Sequence, residues 1–303
     1  GGECMTQVQI VQCVPNISEG RRLDVVERII DQVRQTEGVQ LLDYSSDHDH
    51  NRSVITYVGD LASVQEASFR LTREAVHLIN MEEHQGAHPR IGAVDVIPFI
   101  PIEGITMKEC VEGATALAER INKELDVPTY LYGEAATNAT RKNLSNIRKG
   151  NYEGLKESIH EESRHPDFGE PKMHETAGAT VVGARMPLVA FNVNLGTGRK
   201  DIADAIARCV RERNGGFKNV KGMGVVLEER NQVQVSMNLE NYQATPIFRV
   251  LETIRREAAR YGVPVVGTEL IGLVPQQAML DVAKWYLQLE DFDSDQVLEN
   301  RLR

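Results

Sequence analysis

Apolar positions along this chain fall into two periodicities that follow one another in a fixed order. Gln7 to Val14 alternates apolar and β-branched residues in the manner of a strand and ends at Pro15-Asn16. From about Arg22 to Gln35 the residues Leu23, Val26, Ile29, Ile30 and Val33 recur at helical spacing. Two apolar runs, Val39 to Tyr44 and Val54 to Val58, flank the polar stretch Ser45 to Arg52. A long helix from about Ala62 to Ile79 and a buried strand from Val94 to Pro101 complete the order β-α-β-β-α-β.

After Thr106, a plausible N-cap, an amphipathic helix runs to about Leu125. The short strand Thr129 to Tyr132 and weaker helices around Lys142 to Arg148 and Tyr152 to His160 follow, then a long loop from Ser163 to Gly178 without either periodicity. The earlier pattern then returns. Leu188 to Leu195 is a strand, Ile202 to Arg213 a helix, Val220 to Glu228 and Gln232 to Leu239 paired strands, Ile247 to Tyr261 a helix and Val263 to Gly267 a strand, with one or two helices after Pro275. The doubled unit predicts an α/β protein of the α+β sandwich type. Two ferredoxin-like βαββαβ subdomains, residues 1–180 and 181–303, carry helices on mostly antiparallel sheets, and the cleft between them is the natural site.

At 303 residues, 41% hydrophobic and 26% charged, the chain has ample material for two packed cores. A net charge of -10, with Lys and Arg scattered among acids, argues against nucleic acid as a partner while leaving room for a small anionic ligand. No apolar run reaches the roughly 18 residues of a membrane span, since Gly178 to Leu195 is interrupted by Arg185. There is no basic segment followed by an apolar core at the start. Cys4, Cys13, Cys110 and Cys209 are isolated from one another and read as reduced thiols, so a cytoplasmic protein is expected.

The stretch Gly86-Ala87-His88-Pro89-Arg90 sets one histidine between a flexible residue and a rigid one, with a guanidinium two positions on. A fixed, accessible imidazole is the default carrier of protons near neutrality, so His88 is the leading catalytic candidate. His84 and His88 have a spacing that suits a metal on a helix, but Gly86 and Pro89 oppose a helix there. Asp47-His48-Asp49-His50-Asn51-Arg52 reads either as a metal-binding tract or as a solvated hairpin turn, and one of its members, or Asp43 at a strand end, is placed to orient His88. Asn192 and Asn194 share one strand face, which is either a polar outer surface or a pair of amides lining the cleft; Arg185 precedes that strand. Gly196-Thr197-Gly198 lacks the full pattern of a phosphate loop.

Seven ordered blocks resemble the glutamate formimidoyltransferase, or formiminotransferase, family from Gln7 to about Trp285. They are Val11 to Gly20, Asn51-Arg52, Gly86 to Ala93 with Val96 to Pro101, Tyr130 to Ala136, Pro166 to Gly169, Gly183 to Arg185 with Ala190 to Leu195, and Val265 to Pro275. Ser45 to His50 departs from the family pattern. So does Thr176-Ala177, where the animal form has an aromatic residue.

The resemblance implies transfer of a formimidoyl group from N-formimidoyl-L-glutamate to N5 of tetrahydrofolate, the acceptor substrate, in histidine degradation and without a metal. It implies that His88 is catalytic and that the loop Gly169, Glu170, Pro171, Lys172, Met173, His174, Glu175, Thr176, Ala177, Gly178 contacts folate. Both substrates end in carboxylates, for which Arg52, Arg90 and Arg185 are the expected partners, with Asn51, Asn192 and Asn194 beside them. Asp43 or Glu134 suits the cationic amidinium, and one histidine passing a proton from the attacking to the departing nitrogen suits the reaction. A homodimer is implied, with a cyclodeaminase on a separate protein. A formyl donor, a metal-dependent hydrolase on His84, His88 and the Asp47 to His50 tract, and a non-catalytic ligand sensor are the alternatives.

Overall fold

The structure, a computed structural model, describes residues 8–302. The chain divides into two compact units, Gly1–Arg185 and Met186–Arg303. Cys4 and the expected strand start at Gln7 lie outside the described residues.

The first unit begins β1 (Ile10–Cys13), β2 (Asn16–Ile17), α1 (Leu23–Arg34), β3 (Val39–Asp47), β4 (Arg52–Gly59), α2 (Leu61–Leu78) and β5 (Val94–Glu103). Both β1 and β2 lie between β4 and β5 and pair antiparallel with each, so they are one strand line interrupted at Val14-Pro15. Among the described residues strand β3 pairs only with β4, and it runs past Tyr44 to Asp47, longer than its apolar run predicts. An irregularity between Leu41 and Asp43 re-registers it, and the polar residues beyond suit an edge strand exposed to water.

There follow α3 (Met107–Leu125), β6 (Thr129–Gly133), α4 (Leu144–Ile147), α5 (Asn151–Ser158) and β7 (Thr180–Ala184). Thr106 caps α3 in a reciprocal box with Glu109. Strand β7 inserts between β5 and β6 and is parallel to both. No alternation announces it, because a parallel strand buried on both faces has no polar side. Its pairing puts residues 181–185 with the first unit rather than with the second.

The second unit contains β8 (Val189–Leu195), α6 (Lys200–Val210), β9 (Val220–Leu227), β10 (Gln232–Leu239), α7 (Ile247–Arg260), β11 (Val265–Ile271) and α8 (Gln276–Tyr286). Its sheet runs β11-β8-β10-β9, all antiparallel, with first and last strands adjacent. The first unit has the same arrangement in β5-β1-β4-β3. The fold is therefore the expected α+β one, two mostly antiparallel sheets with helices packed on them.

In the first core, Val25, Val26, Ile29, Ile30 and Val33 of α1 are buried, whereas Leu23 at the start of that helix is exposed. Helix α2 buries two polar residues, each satisfied: Ser68 Oγ lies 2.6 Å from the Tyr57 hydroxyl, and Thr72 Oγ1 donates to Ser68 O at 2.7 Å. Cys13 also faces Ser68, and burial pushes its thiol up to about 12. It is an inert core residue.

Candidate active site

The turn joining β3 to β4 packs backbone to backbone against the loop that leads from α2 into β5. At its end Asn51 adopts a left-handed conformation, φ 47°, which asparagine tolerates better than most residues. Its Oδ1 accepts from Gly20 N–H at 2.9 Å, and its Nδ2 donates to Gln85 O at 3.0 Å. Asp47 Oδ1 accepts from His50 N–H at 2.8 Å, and Ala87 N–H donates to Asp49 O at 3.3 Å. A Cβ on Gly86 would lie 2.2 Å from the His50 carbonyl oxygen. Only glycine lets the two segments meet this closely.

His84 is used up in holding this arrangement. Its Nδ1 accepts from Arg90 Nε at 3.0 Å, so the proton sits on Nε2, which donates to Asn51 O at 2.9 Å. Burial first, and the Arg90 charge with it, lower its pKa below the usual histidine value. Arg90 is buried and makes a bidentate pair with Glu153, 2.8 Å to each oxygen, and a further bond to His84 O at 3.2 Å. The guanidinium holds the Glu153 carboxyl down at about 2. With four of its five N–H groups engaged, Arg90 braces the loop, whereas the sequence leads one to expect it on a substrate carboxylate.

His88 differs. Its Nδ1 lies 2.6 Å from Pro89 O, and since a carbonyl only accepts, Nδ1 carries the proton and Nε2 keeps its lone pair. The ring is oriented by a backbone carbonyl rather than by the acid expected from the sequence. It is half-buried, and burial first, then the Arg52 guanidinium, lower its pKa; Arg148 adds to this and Asp95 opposes it.

Arg52, at the start of β4, donates through Nε to Asn16 Oδ1 at 2.7 Å and makes a second, shorter contact to the same oxygen. Among the described residues its side-chain hydrogen bonds go to that neutral amide alone, and burial and the Arg148 charge disfavour its ionised form. Arg148 is paired with the buried Asp95, whose other oxygen accepts from Ile91 N–H at 2.8 Å. His88, Arg52 and Asp95 line a polar recess with Asn16, Ser18, His50 and Asn51. Arg52 is the cation in it without a carboxylate bonded to it, which makes an anion its natural complement.

Asp43 shares the sheet face of Arg52 and Asp47, but it stands four positions from Asp47, about 13 Å along a strand. Glu134 and Arg185 follow the paired ends of β6 and β7; Arg185 donates from its backbone to Phe99 O and its side chain meets the Tyr132 hydroxyl. In the second unit Asn194 bonds Glu269 and Gln234 across neighbouring strands, and Asn192 also meets Glu269. Those amides belong to a polar network on one sheet face.

The segment 169–178 is ordered by its own bonds: His174 Nδ1 accepts from Thr176 and Ala177 N–H, and His174 and Gly178 form a bridge. Met173, Ala177 and Gly178 are buried, and Ala177 O accepts from Ala93 N–H at 2.9 Å. The segment thus flanks the strand entry next to the His88 loop, with Glu170, Lys172 and Glu175 exposed. Sequence reasoning missed Asn16, Asp95, Arg148 and Glu153. Asp95 alone carried a signal, an acid inside an otherwise apolar strand.

Among the described residues no group of three or more His, Cys, Asp and Glu is placed to hold a metal, and His84 has no free lone pair to offer one. No described helix is long and apolar enough to cross a membrane. The family profile "Formiminotransferase domain, N-terminal subdomain" matches residues 10–185, and "Formiminotransferase domain" matches residues 190–301. The chain belongs to the formiminotransferase family. A glutamate formimidoyltransferase of Streptococcus pyogenes is 53% identical over 97% of this chain and 99% of its own length. One from Thermoplasma acidophilum is 48% identical over 97% of this chain and 98% of its own. The formimidoyltransferase-cyclodeaminase of Mus musculus is 45% identical, but this chain spans 53% of that protein. Membership makes the chain an enzyme, a transferase of the formimidoyltransferase class.

Proposed function

We propose that the chain transfers the formimidoyl group of N-formimidoyl-L-glutamate to N5 of tetrahydrofolate and releases L-glutamate, with His88 moving the proton that this transfer requires. The observation that carries the reading is the state of His88, whose Nε2 lone pair is free while Nδ1 is tied to Pro89 O. An amine attacking an amidinium carbon must lose a proton before the adduct can collapse toward product. His88 Nε2 receives it, and a pKa below the usual histidine value keeps the ring neutral and ready at pH 7.

Arg52 receives a substrate carboxylate, supported by its lack of an acidic hydrogen-bond partner and its place beside His88. Arg148 stays on Asp95 and holds the wall of the recess. The segment 169–178 takes the acceptor, with Lys172 exposed to meet its glutamate tail. The product is then taken up by a cyclodeaminase activity, which is named together with formimidoyl transfer in the mouse relative. The setting is histidine degradation in the cytoplasm, and the working form is a homodimer.

The test is a spectroscopic transfer assay with tetrahydrofolate and either N-formimidoyl-L-glutamate or N-formyl-L-glutamate. Consumption of the formimidoyl donor with release of glutamate is expected. Transfer from the formyl compound alone, or folate binding with no donor consumed, overturns the reading.

A further inference from the structure

We propose that His50 is a second proton carrier of this site, held by Asp47 and delivering to the departing nitrogen the proton that His88 does not supply. The inference rests on the reading of the reaction given above and extends it. A single imidazole serving both nitrogens must change partners within one turnover. The structure offers two imidazoles side by side instead.

The rings of His50 and His88 are 5.9 Å apart between centroids and nearly perpendicular, at 86°. His50 Nδ1 lies 3.0 Å from Asp47 Oδ2, while the other oxygen of that carboxylate accepts from His50 N–H. Both bonds, the backbone one first, hold the Asp47 carboxyl below its usual range, so it is present as a carboxylate. A carboxylate on Nδ1 holds an imidazole in one orientation and is the charge partner of the imidazolium, whose Nε2–H is the proton it can donate. His88 has no acid on its Nδ1 and carries a free lone pair. The two rings are therefore prepared for opposite tasks, one to accept and one to donate.

The placement is built rather than incidental. The His50 carbonyl is the atom on which Gly86 closes, and Ala87 N–H reaches Asp49 O, so the turn carrying His50 and the loop carrying His88 are locked together. The charged and titratable groups about the pair are Asp47, His48, Asp49 and Arg52 of the hairpin, Arg21, His84 and Arg90, and Asp95 with Arg148. Arg90, Arg148, Asp95 and His84 are bonded to one another or to Glu153, Arg21 donates to His48 O, and His48 lies beside Asp49, which leaves Asp47, Arg52 and the two imidazoles to respond to substrate.

The proton and charge count closes. A C–N bond forms between the acceptor nitrogen and the amidinium carbon, and His88 takes the acceptor's proton and becomes cationic. The His50 cation gives its proton to the glutamate nitrogen and becomes neutral, and the C–N bond to glutamate breaks with its electron pair staying on that nitrogen. His50 is exposed, so the pair is reset by exchange with water.

The experiment compares wild type with His50→Gln and His50→Ala by steady-state kinetics across pH, with tetrahydrofolate affinity measured separately and folding checked by circular dichroism. General acid catalysis predicts a fall in kcat of about 100-fold or more with folate affinity within about threefold. It also predicts loss of the alkaline limb of the pH profile, and recovery of activity when imidazolium buffer is added to His50→Ala. A folded His50→Gln enzyme with kcat within about twofold of wild type, or one that is slow yet keeps both limbs and ignores imidazolium, overturns the proposal. A wild-type enzyme that moves no formimidoyl group overturns the underlying reading instead.

Discussion

Replacing Gly86 by alanine adds one methyl group at the seam between the two segments that carry His50 and His88. Gly86 is outside the left-handed region, so its backbone accepts alanine; the obstacle is steric. The new Cβ would stand 2.2 Å from His50 O, 2.9 Å from His50 C and 3.1 Å from the Asn51 Cβ. Close C–H···O contacts begin near 3.3 Å, so the loop has to retreat by about 1 Å. All three atoms belong to a turn pinned by Gly20 and Gln85 and cannot simply rotate aside. The retreat pulls on the Ala87–Asp49, His84–Asn51 and Asn51–Gln85 bonds at once. Overpacking of this kind costs about 1–3 kcal/mol, or roughly 2–10 °C in the melting temperature of a unit this size. A displacement of about 1 Å at a reacting group lowers turnover by about 100-fold. Calorimetry and the transfer assay under saturating substrate read both effects. A Gly86→Ala protein that melts with wild type and turns over within about twofold of it refutes the idea that this close approach sets the geometry of the site.

Arg52→Gln removes a cation placed to meet a substrate carboxylate, and a charged hydrogen bond worth about 1.5–3 kcal/mol corresponds to a rise of about 10- to 150-fold in the KM of the glutamyl donor or of folate. Unchanged KM values for both substrates exclude that role. The base form of His88 is the neutral ring, so activity fails as pH falls through its pKa; with that pKa below 6.5 the acid limb of kcat/KM lies below pH 6.5, and Arg52→Gln shifts it upward. An acid limb above 6.5 in wild type contradicts the assignment. Glu153→Gln lowers stability at pH 7 by about 1 kcal/mol, a discounted figure because this carboxylate is 63% exposed. The sign with pH follows from a carboxyl lowered from 4.5 to about 2: its contribution is complete above 4.5 and fades as pH falls toward 2, so denaturant melts of the two proteins converge in acid. A gap that widens in acid contradicts the pairing.

Much of the architecture is written in local periodicity. Helices α1, α2, α3 and α7 bury one stripe each, and Asp60 and Thr106 cap the starts of α2 and α3, so their spacing is visible in the chain itself. Strand β7 is hidden because it is short and buried on both faces, and its parallel partners are far away in sequence. The same division runs through the site. His88 stands out because Gly86 and Pro89 restrict it from nearby positions. Glu153 and Arg148 do not, because what gives them meaning is a partner distant in sequence, Arg90 for one (63 positions away) and Asp95 for the other (53 positions away). A turn rich in Asp and His reads as solvated from the sequence, and most of it is. Only the packing against Gly86 turns His50 toward the neighbouring ring.

His88→Ala, assayed with tetrahydrofolate and N-formimidoyl-L-glutamate and with folate affinity measured alongside, is the most direct test of a proton-carrying histidine. Loss of the proton carrier predicts a fall in kcat of about 100- to 10,000-fold while folate binds within about threefold of wild type. Turnover close to wild type in a folded His88→Ala enzyme contradicts it.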